Sequence, residues 1–184
     1  MFKPGDIIGL GIRWRDRWIP STEPHTDVAH HMIVVMPMPG DCTVLESDVP
    51  FGVRIGKLSW YLGRFIRVMR VPDKTAAKMA VYEALAYGRH CYSYFTALIW
   101  LLQGYKYQLS HGFAPVPYQC ISDIRCKGVT CTELVARPYE RYYRLVPEGI
   151  APTQSAIEQA RLNGELLTVF EGILTNEVLS GQQR

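Results

Sequence analysis

The chain has 184 residues, of which 48% are hydrophobic and 20% charged, with a formal net charge of +3. That length suits one domain over residues 1–184, and the composition excludes a disordered or low-complexity chain. The small charge, with arginines scattered through apolar segments instead of gathered in runs, argues against nucleic acid as a partner.

In chain order, a Pro4-Gly5-Asp6 turn leads into a predicted strand over residues 6–12, "DIIGLGI". Charges follow soon after and no small-residue cleavage site is present, so no secretory leader is expected and a cytoplasmic or virion-associated location is left. Residues 13–27 read as a surface loop. "VAHHMIVVM" at 28–36 is β-branched and apolar and reads as a buried strand ended by Pro37. A "PMPGD" turn and a second strand, "CTVLES" at 42–47, complete a hairpin. "GVRIGKL" at 52–58 reads as a short edge strand and "RFIRVMRV" at 64–71 as another.

Asp73 or Thr75 then caps a helix that Gly88 ends. A second helical stretch covers Tyr92 to Gln103. Its apolar core, "YFTALIWLL" at 94–102, is about half of what a bilayer requires, so no transmembrane segment is expected. Residues 104–126 are rich in Tyr, Pro and Gly and read as a long loop. A helix starts at Cys131 and is ended or kinked by Pro138. Residues 153–175 supply a last helix, with Asn163-Gly164 as its stop, and a final strand. Strands first and helices after them give an α+β class built on a mainly antiparallel sheet packed against helices.

Five cysteines, Cys42, Cys91, Cys120, Cys126 and Cys131, are an odd number without a leader, which argues against a disulfide framework. Cys120, Cys126 and Cys131 with His111 could be metal ligands, but the spacing lacks a C-x-x-C knuckle, so no metal is expected. Thr130-Cys131-Thr132-Glu133 matches a capping box: the Thr130 hydroxyl accepts from the N–H of Glu133, and the Glu133 carboxylate reaches back to the N–H of Thr130. Cys131 then takes the first helical position. There, unpaired N–H groups and the positive end of the helix dipole favour the thiolate, the nucleophilic form. The same groups, at Cys131 and Thr132, could hold an oxyanion.

A thiol hydrolase also needs a base and a group to orient it. His30 and His31 lie inside an apolar strand and alternate between its faces, so one of the two can face the site. Glu46, at the end of the neighbouring strand, is a carboxylate among apolar residues that an imidazolium would pair.

These motifs, in this order, resemble the circularly permuted branch of the NlpC-type papain-like superfamily, above all the YiiX/YebB-like proteins. The resemblance rests on Pro4-Gly5-Asp6-Ile7-Ile8 and on His30-His31-Met32-Ile33-Val34, where Met32 replaces the family's glycine. It continues through Val44-Leu45-Glu46-Ser47, Gly52-Val53, a loose "G-x-x-Y" at Gly88 to Tyr92, and Cys131-Thr132-Glu133-Leu134-Val135. Pro152-Thr153 resembles the closing "TP" element in reverse order. The likeness covers roughly residues 2–160.

The likeness implies a permuted papain-like domain in which Cys131 is the nucleophile, His30 the base and Glu46 the orienting residue. Thr130, Glu133, His31 and Tyr92 stand in support. The implied activity is hydrolysis or acyl transfer at an amide or ester carbonyl without a cofactor. Cell-wall peptides are the favoured substrate and lipid amides or esters the second. A binding or structural module keeping the same fold without turnover is the rival reading.

Overall fold

In the computed structural model the described residues are 1–12, 27–48, 51–88, 102–103, 106–107, 109–111, 116–117 and 129–181. Tyr92, Cys91, Cys120 and Cys126, with most of the second helix and of the 104–126 stretch, lie outside them.

Six strands form one antiparallel sheet: β1 (Ile7–Gly11), β2 (Val28–Met38), β3 (Asp41–Asp48), β4 (Gly52–Lys57), β5 (Phe65–Arg70) and β6 (Leu167–Ile173). Their spatial order is β4-β3-β2-β1-β5-β6, so β1 sits inside the sheet and β6 returns from far along the chain to extend it beyond β5. Four helices are described, α1 (Lys74–Ala86), α2 (Cys131–Ala136), α3 (Gln154–Leu162) and α4 (Asn176–Ser180), with short 3-10 turns at Leu58–Tyr61 and Arg137–Tyr139.

Both faces of the sheet are covered. Ile7, Ile33, Leu45 and Met69 pack under α1, α2 and α3 in one core. Ile8, Met32, Val44 and Val68 point the other way, into a second core closed by Phe2, Leu58 and the Val178 and Leu179 side chains of α4. Burial on both sides explains why the central strands read as near-continuous apolar runs and not as an alternation. The architecture is α+β. No helix among the described residues is long and apolar enough to cross a membrane.

Three elements differ from their sequence reading. β2 does not stop at Pro37 but runs to Met38, with Pro37 paired to Cys42. β1 has ended by then, so this part of β2 is an edge, where proline is tolerated, and the register shifts between Val34 and Met36 just before it. Residues 106, 107 and 109–111 are helical and not loop. The run 105–111 contains neither Gly nor Pro, and Tyr107 and His111 stack one turn apart with ring centroids at 4.3 Å. Finally, α4 follows the last strand, capped by Thr175, whose hydroxyl accepts from the Val178 N–H, and ended by Gly181 in the left-handed region.

The Pro4-Gly5-Asp6 turn has a specific steric reason. Gly5 has φ +87, and a Cβ there would lie 2.5 Å from the Ala77 carbonyl oxygen of α1. The buried Tyr139 hydroxyl donates to the Gly5 carbonyl, tying the turn to the end of α2. Gly5→Ala is therefore expected to destabilise the fold by about 2–5 kcal/mol, through left-handed strain and contact with backbone that cannot yield. Chemical denaturation measures this; a variant as stable as the parent would show that α1 does not rest on the turn.

Candidate active site

The last β2–β3 pair at this end is Met32 with Glu46, so residues 28–31 of β2 are not paired to β3. The start of α2 meets His30 at this open end. Thr130 caps α2 in extended conformation (φ −78, ψ 167), and both arms of the capping box are formed. The Glu133 N–H donates to Thr130 Oγ1 at 3.2 Å, and the Thr130 N–H to Glu133 Oε2 at 2.9 Å. Arg137, one turn on, pairs with the other Glu133 oxygen. The N–H groups of Cys131 and Thr132 are left heading the helix.

Two hydrogen bonds fix this segment against the sheet. The buried Ser47 hydroxyl donates to the Val129 carbonyl at 2.6 Å, so the strand that carries Glu46 also holds the approach to Cys131. Gln154 Nε2 donates to the Ala29 carbonyl at 2.7 Å, joining β2 just before His30 to the α3 start that Thr153 caps.

His30 bridges the two other predicted residues. Its Nε2 lies 3.1 Å from Glu46 Oε2, and Cys131 is near enough for its thiol to raise the histidine's pKa. With Nε2 engaged by Glu46, Nδ1 is the ring nitrogen left for the thiol. Burial alone would lower the pKa of His30; the hydrogen bonds to Cys131 and Glu46, and then their charges, outweigh it and raise it to about 10. The imidazolium is thus the favoured form between these two partners.

Glu46 is fully buried yet ionised. Burial pushes its carboxyl up, but hydrogen bonds from His30 and Tyr61, and the charges of His30 and Arg54, hold it below the usual carboxylate range. Arg54 Nε donates to Oε1 at 3.0 Å, while the Tyr61 hydroxyl joins His30 on Oε2. Arg54 also donates to Asp48 at 3.0 Å and lies over the rings of Phe51 and Trp60, 4.5 and 5.4 Å from their centroids. Gly56 leaves room for this: a Cβ there would come within 3.0 Å of both Glu46 Oε1 and the Trp60 ring. Burial, and then the bond to Glu46, raises the pKa of Tyr61, so it stays a neutral donor.

Sequence reasoning missed Arg54, Tyr61 and Ser47. Arg54 carried a signal, because the pairing of Asp48 with Gly52 sets it directly opposite Glu46. Tyr61 lies in a 3-10 turn with no pattern to announce it. Met32 is fully buried among Ile8, Val34 and Val44. His111 is exposed on its own helical turn.

His31 faces the helix side, across Gly9 from Arg67. It is 2% exposed, and its Nδ1 has no hydrogen-bond partner among the described residues. Burial, and then the charges of His30 and Arg67, lower its pKa from 6.5 to about 3. An unfolded chain would bind a proton that the folded one refuses. Stability is therefore full above about pH 6.5 and falls by about 1.4 kcal/mol per unit as pH drops towards the folded value. His31→Leu is expected to flatten this acid limb; denaturation midpoints at pH 6, 5 and 4 check it, and an unchanged slope would assign the limb to other groups.

The solved structure of the metalloprotein YiiX from Escherichia coli O157:H7 superposes on this chain with a TM-score of 0.51 at 17% identity, covering 94% of this chain and 98% of that one. The fold is YiiX-like. No family model and no curated protein matches the chain. The likeness to YiiX spans almost the full length of both chains, and at this identity it speaks for the fold alone.

Proposed function

We propose that the chain is a thiol-dependent hydrolase or acyl transferase of permuted papain-like (NlpC-type) fold. It acts on an amide or ester carbonyl, with a cell-wall peptide as the favoured substrate. One observation carries the reading: a histidine bonded to a buried, ionised carboxylate stands near a thiol at a helix start. Those are the three groups that nucleophilic catalysis by a thiol requires.

In this reading the Cys131 thiolate attacks the carbonyl carbon and the carbonyl electron pair moves onto oxygen, which faces the N–H groups of Cys131 and Thr132. The tetrahedral species collapses, expelling an amine or alkoxide that takes the proton of the His30 imidazolium. The acyl group stays on sulfur as a thioester. His30, now neutral, takes a proton from water, or from an acceptor in transfer, as that oxygen or nitrogen attacks the thioester. The thiolate and imidazolium are then restored. Glu46 keeps the ring oriented and supports its charge throughout.

Incubation with peptidoglycan fragments and with acyl lipids, followed by mass spectrometry, tests the reading and separates its two substrate classes. A thiol that turns over neither, and that a chloroacetamide probe labels no faster than an ordinary cysteine, would leave a binding module.

The description of YiiX as a metalloprotein motivates a second reading, a metal centre. Among the described residues no three or more His, Cys, Asp or Glu side chains are grouped so that they could hold a metal ion. Both Glu46 oxygens already accept from Arg54, His30 and Tyr61. The described donors do not fit, and no step is routed through a metal. Stoichiometric metal in purified protein, lost on Cys131→Ser, would favour this second reading.

A further inference from the structure

The sheet carries a concave feature at the end away from His30. A groove of ≈ 520 Å³ lies between α1 and the ends of β2 and β5. Its walls are mostly apolar, formed by Val35, Met36, Val71, Ala77, Val81 and Leu85 with Tyr82 beside them. The size is that of a small-molecule site. β2 passes through both places, and the strand rise from His30 to Val35 sets the groove roughly 15–20 Å from the thiol and imidazole.

The groove's mouth is cationic. Lys3, Lys74 and Lys78 line it. Lys74 and Lys78 stand one turn apart on α1, a like-charge spacing that by itself works against the helix. The acid lining the groove, Asp6, is already engaged: it accepts from Arg70 Nε and from the second Arg70 donor at 2.7 Å each, and from the Lys3 backbone N–H at 2.8 Å. None of the three lysine side chains forms an ion pair among the described residues.

We infer that this groove binds an anionic amphiphile, an unbranched alkyl chain lying along the apolar walls with its carboxylate against Lys3, Lys74 and Lys78. The charge excludes a cationic chain. A sugar or nucleoside would set most of its polar groups against apolar wall. A partner helix would need a far larger contact than this groove provides. The site is separate from the proposed catalytic one, and its test uses no turnover.

Isothermal titration of the full chain with octanoate, decanoate and dodecanoate, below their micelle thresholds, should give one saturable site. Affinity should tighten about fourfold per added methylene until the walls are filled. Lys74→Glu with Lys78→Glu should weaken decanoate binding at least tenfold at low ionic strength, where exposed charges are least screened. Met36 is 53% exposed, so Met36→Glu alters a wall without disturbing the core and should also weaken it. Thermal melts check that both variants fold. Equal affinity for decanoate and a decyltrimethylammonium ion, or decanoate binding unmoved in both variants, overturns the proposal. So does binding to phosphatidylglycerol vesicles without saturable binding of free alkanoates, which would make this face a membrane-surface patch.

Discussion

Cys131→Ser is expected to remove thiol-dependent turnover, by at least about a thousandfold, while the melting temperature stays within a few degrees of the parent. Serine is close to cysteine in size, and at 8% exposure the side chain has little room to rearrange. His30→Ala should cost about as much, and the double variant little more, because in the proposed mechanism nucleophile and base act as one unit. His31→Leu, on the other face of β2, should leave the rate at neutral pH near that of the parent. The measurement is turnover of whichever substrate the product screen identifies, alongside labelling by a thiol probe. Cys42 is a built-in control: burial, and then the charges of Asp41 and Asp6, push its thiol up to about 12, so it should stay unlabelled under native conditions. Activity surviving in Cys131→Ser would mean that the nucleophile lies elsewhere.

The parts of this site that were legible in the sequence are those encoded locally. A capping box is a four-residue pattern, and Thr130 and Glu133 form both of its bonds. Strand alternation is a two-residue pattern that set the two histidines on opposite faces; the resemblance chose between them, and His30 lies beside Glu46 while His31 turns to Arg67. The remaining parts depend on tertiary geometry. Arg54 meets Glu46 through hairpin register, Ser47 reaches Val129 across 82 residues, and Tyr61 arrives on a turn whose conformation nothing nearby dictates.

The fold divides in the same way. The strands declared themselves by β-branched runs and α1 by its cap, which is Asp73 of the two candidates Asp73 and Thr75. Pro37 misled because its effect depends on whether a second neighbour flanks the strand, a fact of the sheet and not of the segment. Residues 106, 107 and 109–111 misled because flanking glycines and prolines obscured a short stretch free of both. The position of β1 between β2 and β5 is a matter of long-range pairing that no local pattern encodes.

Glu46→Gln is the second large effect expected, and its signature is a displaced pH profile. Glu46 receives three donors: Arg54 on Oε1, and His30 and Tyr61 on Oε2. Glutamine offers one acceptor oxygen and turns an N–H₂ towards a former donor. Breaking a buried charge pair in this way should cost about 3 kcal/mol of stability. Partial activity should survive, because an amide oxygen can still hold the imidazole, and Glu46→Ala should lose more. The sign of the pH effect follows from His30, whose pKa is raised from 6.5 to about 10 with Glu46 among the causes. The stability that this shift contributes is complete below about pH 6.5 and is lost as pH rises through about 10. Catalysis that starts from the imidazolium should decline over the same alkaline range. Removing the carboxylate charge lowers the His30 pKa, so the alkaline limb of kcat/KM should move to lower pH. Tyr61→Phe, which removes a donor but keeps the charge, should move it much less. Titration of the His30 C2 proton by NMR reads the same shift without any substrate, so it separates the electrostatics of the site from the identity of the reaction. An alkaline limb and a proton titration that both stay in place, with full activity in the Gln and Ala variants, would take Glu46 out of the site and leave a Cys131–His30 dyad.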